Sequence, residues 1–454
     1  MKIINQISKS VEVALASQAV LDKKYRLITY IMHVPTEEGI LVHNFLTGQT
    51  IFLTSEEFSD FSACKKGELY TFFIQNWFYV LEEQNDRALY EIAYAVTLLF
   101  EEKRPICNFT IFPTTDCNAR CFYCFENGKR RYHMNEKTAL DVAKYIIEVS
   151  NGAPVYIQWF GGEPLYNQKA INVICKYLLE NNVLLKTSMI SNGYLFDESL
   201  INHAIQDWHL SLVQITLDGT QDVYNRTKNY IYKDDKNPFM RVIHNIKLLL
   251  AANVKVYIRI NLEKHNAEDI MKLVDYIEEN IGPSSNLLVY SWLLYDSRLS
   301  GNKKRDMESK RKLTETQIDL ANHIVEHRLR FVKPITSKMI TKSCMAEDES
   351  SITILPDGHI GKCDHYLESD FIGSIYEDKP FDPEILKRWK VKRDEVELCK
   401  MCCLFPYCRK LKNCPETGEE ICDEIIQSFY LNHARLRILA AYHNFINSKD
   451  QEGS

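Results

Sequence analysis

Cysteine placement carries the first chemical signal in this chain. Of 14 cysteines, three fall within eight residues, Cys117, Cys121 and Cys124, and eight fall between 344 and 422. Thiols grouped this way read as disulfides in a secreted protein and as metal ligands in a reducing compartment. The start, Met1–Lys24, holds only a short apolar patch at Val13–Ala16, preceded by Glu12, and no small-residue cleavage site follows a proper apolar core. A signal peptide is therefore not expected, and cytoplasmic thiolates that bind metal are the preferred reading. Three thiolates at C-x3-C-x2-C spacing suit three corners of a cubane iron–sulfur cluster and leave the fourth iron open to another ligand. The same loop could be part of a zinc site. Structural zinc takes four closed ligands, however, and no further His or Cys follows nearby.

A loop of this kind needs a scaffold. From about 105 to 295, short apolar runs alternate with amphipathic helical runs. The strands expected are Phe109–Pro113, Val155–Phe160, Thr187–Ser191, Leu212–Leu217, Val256–Asn261 and Leu287–Trp292. The helices expected between them include Thr138–Val149, Lys169–Leu179, Phe239–Ala252 and Ala267–Glu279. Such alternation implies a parallel sheet closed fully or partly into a barrel, with the chemistry at the C-terminal strand ends. The cysteine loop follows the first of these strands.

The preceding stretch reads as a small separate unit. Leu27–Val34, Ile40–Leu46 and Thr50–Leu53 are expected strands, Thr54-Ser-Glu-Glu57 has capping-box spacing, and Leu69–Leu81 fits helix and strand equally. Residues 301–313 are charged and poorly patterned and read as a solvated connection. Ile425–Ile446 reads as a closing helix. The fold class expected is α/β. A partial (β/α)6 TIM-like barrel over 105–300 follows a small N-terminal α+β domain over 1–104. After the barrel come a helical connection at 301–343, a cysteine-rich iron–sulfur domain at 344–425, and a helix and tail at 426–454. The net charge of -6 gives no footprint for nucleic acid, and no run of 18 apolar residues suggests a membrane span.

The loop Cys117-Asn-Ala-Arg-Cys121-Phe-Tyr-Cys124, with an aromatic residue just before its last cysteine, resembles the signature of radical S-adenosylmethionine (SAM) enzymes. That resemblance implies a 4Fe–4S cluster whose open iron chelates SAM. It also implies reductive cleavage of SAM to a 5′-deoxyadenosyl radical, with flavodoxin or ferredoxin as the electron donor. Gly161-Gly162-Glu163-Pro164-Leu165 alone would be a tight turn. After this loop it is similar to the family's motif for the SAM amino group. Ser191-Asn192-Gly193, Leu217-Asp218-Gly219, Arg226 and Arg259-Ile-Asn261 are, one by one, turns or capped strand ends. In series they resemble the polar groups that hold SAM's ribose and carboxylate, and Tyr123 joins them as a cofactor-binding residue.

Cys344, Gly358-His-Ile-Gly-Lys-Cys363, Cys399-Lys-Met-Cys402, Cys408, Cys414 and Cys422 resemble the SPASM extension of such enzymes. By that pattern Cys344, Cys363 and Cys414 bind one auxiliary 4Fe–4S cluster, and Cys399, Cys402, Cys408 and Cys422 bind a second. With the SAM-binding cluster this makes three. The five residues Arg409–Asn413 depart from the usual three, which puts Cys414 in doubt and makes Cys403 a possible substitute. A double zinc ribbon is the competing reading of this segment. Asp364, next to Cys363, matches a position used by some relatives as a proton acceptor; a solvated loop aspartate is the alternative. Cys64, Cys107 and Cys175 lie on apolar stretches and read as core residues.

Taken together, the resemblance implies a maturase that installs thioether links, Cys sulfur to carbon, in a ribosomally made precursor peptide. The N-terminal unit would hold the leader of that peptide. Formylglycine formation is the alternative within the class, and a non-catalytic metal-binding module is the alternative outside it.

Overall fold

The computed structural model describes residues 1–14, 23–101, 104–294, 307–342, 344–365, 371–377, 389, 396–408 and 422–452. Its N-terminal unit is built on a four-stranded antiparallel sheet. The strands are β1 (Lys2–Asn5), β3 (Ile31–Pro35), β4 (Ile40–Asn44) and β5 (Thr50–Leu53), in the order β1-β5-β4-β3. A separate ribbon pairs β2 (Tyr25–Leu27) with β6 (Tyr79–Leu81). The single strand expected over Leu27–Val34 is therefore two. The cause is the Asp86 carboxylate, which accepts from Arg26 Nη2 at 2.9 Å and from the Thr29 backbone N–H at 2.8 Å and so fixes a corner between β2 and β3.

Helix α2 (Ser55–Ser62) starts at the expected capping box, with Thr54 and Glu57 bonding each other's backbone N–H. The ambiguous aromatic stretch divides in two. Tyr70–Gln75 is helical, and Trp77, at φ +60°, turns the chain into β6. Helix α4 (Asp86–Phe100) closes the unit, with the Asn85 side chain capping its N-terminus.

The barrel follows. Strands β7 (Asn108–Thr114), β8 (Val155–Gly161), β9 (Leu185–Ser191), β10 (Leu210–Thr216), β11 (Lys255–Leu262) and β12 (Leu287–Leu293) are all parallel and pair in chain order. Helices α5 (Glu136–Ser150), α6 (Gln168–Glu180), α7 (Glu198–Asp207), α8 (Gln221–Lys228), α9 (Pro238–Ala251) and α10 (Asp269–Asn280) run between them. Ile111, Trp159, Met189, Val213 and Ile258 are fully buried and fill the layer between the strands and their helices. All six expected strands are present within a residue or two at most ends, whereas α7 and α8 went unread. Helix α8 is markedly polar, and its buried residues are Tyr224, Thr227 and Lys228.

The barrel sheet does not end at β7. Strand β13 (Ser351–Ile354) adds to it in parallel, and β14 (His359–Gly361) and β15 (Gly373–Ser374) continue antiparallel, giving nine strands. The cysteine-rich C-terminal segment is thus stitched to the edge of the strand that leads into the Cys117 loop.

Helix α11 (Met307–Glu326) lies within the expected helical connection and takes in the later part of the charged stretch 301–313, whose first six residues lie outside the described residues. Glu, Lys, Arg and Leu are strong helix formers, so a charged stretch without an apolar stripe can still be helical when packing elsewhere anchors it. The C-terminal helix, Glu424–Glu452, lies against α11 and against β1 and β3 of the N-terminal unit. Phe52 of β5 stacks on its Tyr442 with ring centroids 5.5 Å apart.

Candidate active site

The Cys117 loop is held from four sides. Asp116 caps its start, accepting from the Cys117 backbone N–H at 2.8 Å, with Arg131 3.6 Å away on its other flank. Two glycines then bring the end of β8 against it. A Cβ on Gly161 would lie 2.3 Å from the Thr114 carbonyl oxygen, and one on Gly162 would lie 2.1 Å from that of Asp116. Neither glycine can be replaced without moving backbone. Their reason is the contact between strand end and cysteine loop, sealed by the Gly162 and Glu163 N–H groups donating to Thr114 and Asp116.

Glu163 is fully buried. Its carboxylate accepts from Ser191 Oγ at 2.9 Å, the Asn192 N–H at 2.8 Å and the Leu165 N–H at 3.2 Å. Burial nevertheless outweighs these bonds and pushes its pKa up to about 7. The carboxylate therefore ties the ends of β8 and β9 together. Asn192 passes the tie onward, its Nδ2 donating to Asn118 Oδ1 at 2.6 Å and lying 3.8 Å from Cys117 Sγ.

A second buried network lies beneath the loop. Lys228, at the end of α8, forms an ion pair with Asp218 at 2.9 Å, and the side chains are only 4% and 2% exposed. Tyr123 donates to Asp218 Oδ2 at 2.7 Å and accepts from Lys228 Nζ at 3.0 Å. Burial opposes the ammonium, but the Asp218 charge and the neighbouring polar groups outweigh it and hold Lys228 well above its usual pKa. The Lys228 carbonyl also accepts from the Arg120 N–H at 2.9 Å, so the helix end supports the loop backbone directly. Asn266 bonds the Asp218 and Asn261 carbonyls at 2.9 and 2.7 Å and joins the ends of β10 and β11.

Neither Lys228 nor Asn266 was legible beforehand. A lysine at a helix end is ordinarily solvated, and only the fold reveals the buried aspartate opposite it. Arg226, two residues earlier on the same helix, is exposed, and the structure does not bring it into this network. Arg259 is half-buried, donating to Asn261 Oδ1 at 2.8 Å with Trp292 beside it.

The donor set suits a metal cluster. Three thiols share one loop, and burial pushes Cys117 up to about 12 and Cys121 up to about 11. Buried thiols in each other's field become thiolates only when a cation joins them. Nearby, Asp218 Oδ1 is buried without a hydrogen-bond partner among the described residues.

The C-terminal cysteines lie in two places. Cys344 precedes β13 and Cys363 follows β14. The Asp364 carboxylate is 3.8 Å from Cys363 Sγ, which also accepts from the His365 N–H at 3.4 Å. His365 stacks on Phe125, the residue after Cys124, at 4.9 Å, and Phe125 stacks on Phe160 at 5.6 Å. A continuous ring stack therefore joins the Cys124 turn to the Cys363 turn. Cys399, Cys402, Cys403 and Cys408 sit on two short turns farther on, and Cys422 directly precedes the C-terminal helix. Cys414 falls outside the described residues. Cys107 and Cys175 are buried, while Cys64 is half-buried at φ +49°.

A parallel α/β partial barrel with a three-cysteine loop at its C-terminal strand ends defines a class of enzymes built around a redox metal cluster. Residues 111–277 match the model of the Radical SAM superfamily. This part of the chain is a Radical SAM domain, and the superfamily implies a 4Fe–4S cluster and SAM. An uncharacterized protein of Methanocaldococcus jannaschii is 30% identical over 193 residues, 37% of this chain and 66% of that relative. The alignment with Fe-coproporphyrin III synthase of Methanosarcina barkeri spans 48% of that relative, so the chain covers about half to two thirds of these curated proteins. Among solved structures, anSMEcpe with bound AdoMet aligns at a TM-score of 0.57 and 19% identity, covering 76% of this chain and 96% of that one. It is also known with a bound Cp18Cys peptide. Streptococcus suis SuiB bound to its precursor peptide SuiA aligns at 0.50 and 17%, covering 89% of this chain and 100% of that one. At these identities the likeness is one of fold. No helix among the described residues is long and apolar enough to cross a membrane.

Proposed function

We propose that this enzyme modifies a ribosomally made precursor peptide, joining a cysteine sulfur to a carbon of another residue. The observation that carries the reading is the ring stack of His365, two residues past Cys363, on Phe125, the residue after Cys124. Through it a second group of thiols would face the same substrate as the Cys117 loop. The kinship in fold with two proteins known in complex with peptides supports a peptide substrate.

Cys117, Cys121 and Cys124 would hold the SAM-binding cluster. Cys344, Cys363 and Cys414 would hold a first auxiliary cluster, and Cys399, Cys402, Cys408 and Cys422 a second. When bound, these clusters and SAM supply the organic radical that takes one hydrogen atom from carbon and the acceptor for the single electron left over. The thiol gives up a proton in the same overall change, and Asp364, beside Cys363, would be the carboxylate that receives it. Gly161, Gly162, Glu163, Pro164, Ser191, Asn192, Asp218 and Arg259 would shape the SAM side of the cavity. Tyr123 and Lys228 would fix the loop beneath it. Arg226, being exposed, would reach SAM only by reorienting. Strand β3, an edge of the N-terminal sheet, would accept the leader as an added strand.

Mass spectrometry of the product tests this directly. The expected peptide is lighter by about 2 Da per link, with one thiol lost, and the change resists reductant because a thioether, unlike a disulfide, does not exchange. A product bearing an aldehyde in place of a cysteine side chain would select formylglycine formation, which Asp364 serves equally well. A product with its thiols intact would sink both.

A further inference from the structure

Outside the cysteine centres, one cluster of metal-ligating side chains stands on the barrel's outer surface. Helix α11 carries His323 and His327, four residues apart and therefore on one face. Helix α10 packs against it and presents Asp275 and Glu278, three apart on its own face. His323 Nε2 lies 2.7 Å from Asp275 Oδ1, and His327 Nε2 lies 3.3 Å from the same oxygen. The two imidazole rings are 4.4 Å apart between centroids. On the far side of the second ring, Glu278 Oε2 lies 3.7 Å from His327 Nδ1.

We propose that Asp275, His323 and His327 bind a divalent transition-metal ion, with Zn2+ as the best-matched species. The three ligand atoms all lie within 4.8 Å of one another. Tetrahedral zinc, with Zn–N and Zn–O near 2.0–2.2 Å, sets its ligands roughly 3.3 Å apart. The His327–Asp275 separation already meets that spacing, and the His323–Asp275 contact need open by only about half an ångström.

The tautomers also agree. A histidine that coordinates through Nε2 must carry its proton on Nδ1, and such an Nδ1–H is held in metal sites by a carboxylate. Glu278 stands where that partner is needed for His327. Two imidazoles and one carboxylate form a borderline set that favours zinc over calcium or magnesium, whose ligands are oxygens. At 26%, 29% and 45% side-chain exposure, His323, His327 and Asp275 are reachable from solvent without any opening of the fold.

The site has a structural consequence. α10 is the last barrel helix before β12, and α11 leads from the barrel toward the C-terminal cysteine segment. Gln317 already anchors α11 to β12, donating to the Ser291 carbonyl at 3.2 Å. A metal bridging the two helices would tie the connection to the barrel at a second point, independently of SAM and of the peptide reading.

The test is calorimetric titration of ZnCl2 into the iron–sulfur-loaded chain, first freed of loosely bound metal with a chelator. The expected result is one saturable equivalent that is absent from the His323→Ala/His327→Ala variant, with iron content unchanged. Glu278→Gln, which removes only the outer carboxylate, should weaken zinc binding roughly 10–100-fold. This milder variant decides the matter if the double variant folds poorly. Failure of the loaded wild-type chain to take up zinc, unchanged uptake in the double variant, or, where that variant folds poorly, unchanged affinity in Glu278→Gln, would overturn the site.

Discussion

The two cysteine regions of this molecule are assembled in different ways. The Cys117 loop is positioned by strand ends. Glycine contacts, the saturated Glu163 carboxylate and the buried Asp218–Lys228–Tyr123 network fix its backbone from β8, β9, β10 and α8. The Cys399–Cys408 segment has no such frame. It consists of two short turns whose Leu404, Phe405 and Tyr407 are sunk into the N-terminal unit. Phe405 packs against Tyr30 and Tyr90 and lies under the Arg87 guanidinium at 3.8 Å. Tyr407 meets Phe45 at 5.7 Å. The first region is shaped by polar bonds within one domain; the second depends on apolar contact between the two ends of the chain. The N-terminal unit is accordingly structural support for the second region as well as a candidate leader-binding domain, and deleting it would strip both roles at once.

The largest expected effect separates the regions by function. Replacing Cys117, Cys121 and Cys124 together by Ala should abolish 5′-deoxyadenosine formation. The second region, packed on another core, should keep its metal, leaving brown protein with about two thirds of the iron if each of three centres is a four-iron cluster. Normal SAM cleavage by that variant would remove the loop from the active site. Loss of all iron would show that the two regions form as one.

A smaller effect contrasts Gly162 with Gly361, which lies on the strand leading to Cys363. Gly162→Ala places a methyl group 2.1 Å from the Asp116 carbonyl, so the loop backbone must shift. Overpacking of this kind costs about 1–3 kcal/mol, and a misplaced loop should lower SAM cleavage more than tenfold. At Gly361, two residues before Cys363, an added Cβ would meet the Cys363 carbonyl oxygen at 3.9 Å, an ordinary contact. Gly361→Ala should therefore leave iron content and melting temperature close to wild type. Equal damage at both positions would mean that the Cys363 turn is framed as rigidly as the Cys117 loop.

The same contrast explains what was legible in the sequence. Periodicity gave the six barrel strands, because each is a run of apolar residues bounded by polar strand ends. The spacing of Cys117, Cys121 and Cys124 and of Gly161–Pro164 marked the candidate site, since both lie at strand ends. Lys228 and Asn266 stayed hidden because nothing in local spacing marks the contacts with Asp218 that the fold creates, and Arg226 drew attention by residue type alone. The pairing of β13 with β7 and the shared core of Phe405, Tyr30 and Tyr90 were also beyond reach, being contacts between segments hundreds of residues apart. In the charged stretch after residue 300, low apolar content hid the start of α11.

The smallest expected effect uses pH, and here the two regions should respond with opposite sign. His43 of β4 is buried beside Phe45, accepts or donates at Nδ1 to Thr50 Oγ1 at 2.8 Å, and feels Arg437 of the C-terminal helix. Burial, reinforced by that arginine, lowers its pKa from 6.5 to about 3. The unfolded chain therefore binds more protons at this residue between those values, and the folded state loses stability as pH falls below 6.5. At pH 5 the loss is about 2 kcal/mol, from roughly 1.4 kcal/mol per unit. Glu163 is the reverse case. Its folded pKa is raised from 4.5 to about 7, so the folded state binds the extra proton and gains stability as pH falls between these values. Amide hydrogen exchange at pH 7.5 and pH 5, corrected for intrinsic rates, should show reduced protection in β4 and β5 at the lower pH. Protection in β8 and β9 should hold or rise. His43→Gln should remove the loss in β4 and β5, because its side chain does not titrate. A uniform loss across both regions, or one that His43→Gln leaves unchanged, would show that the two cores unfold as a single unit.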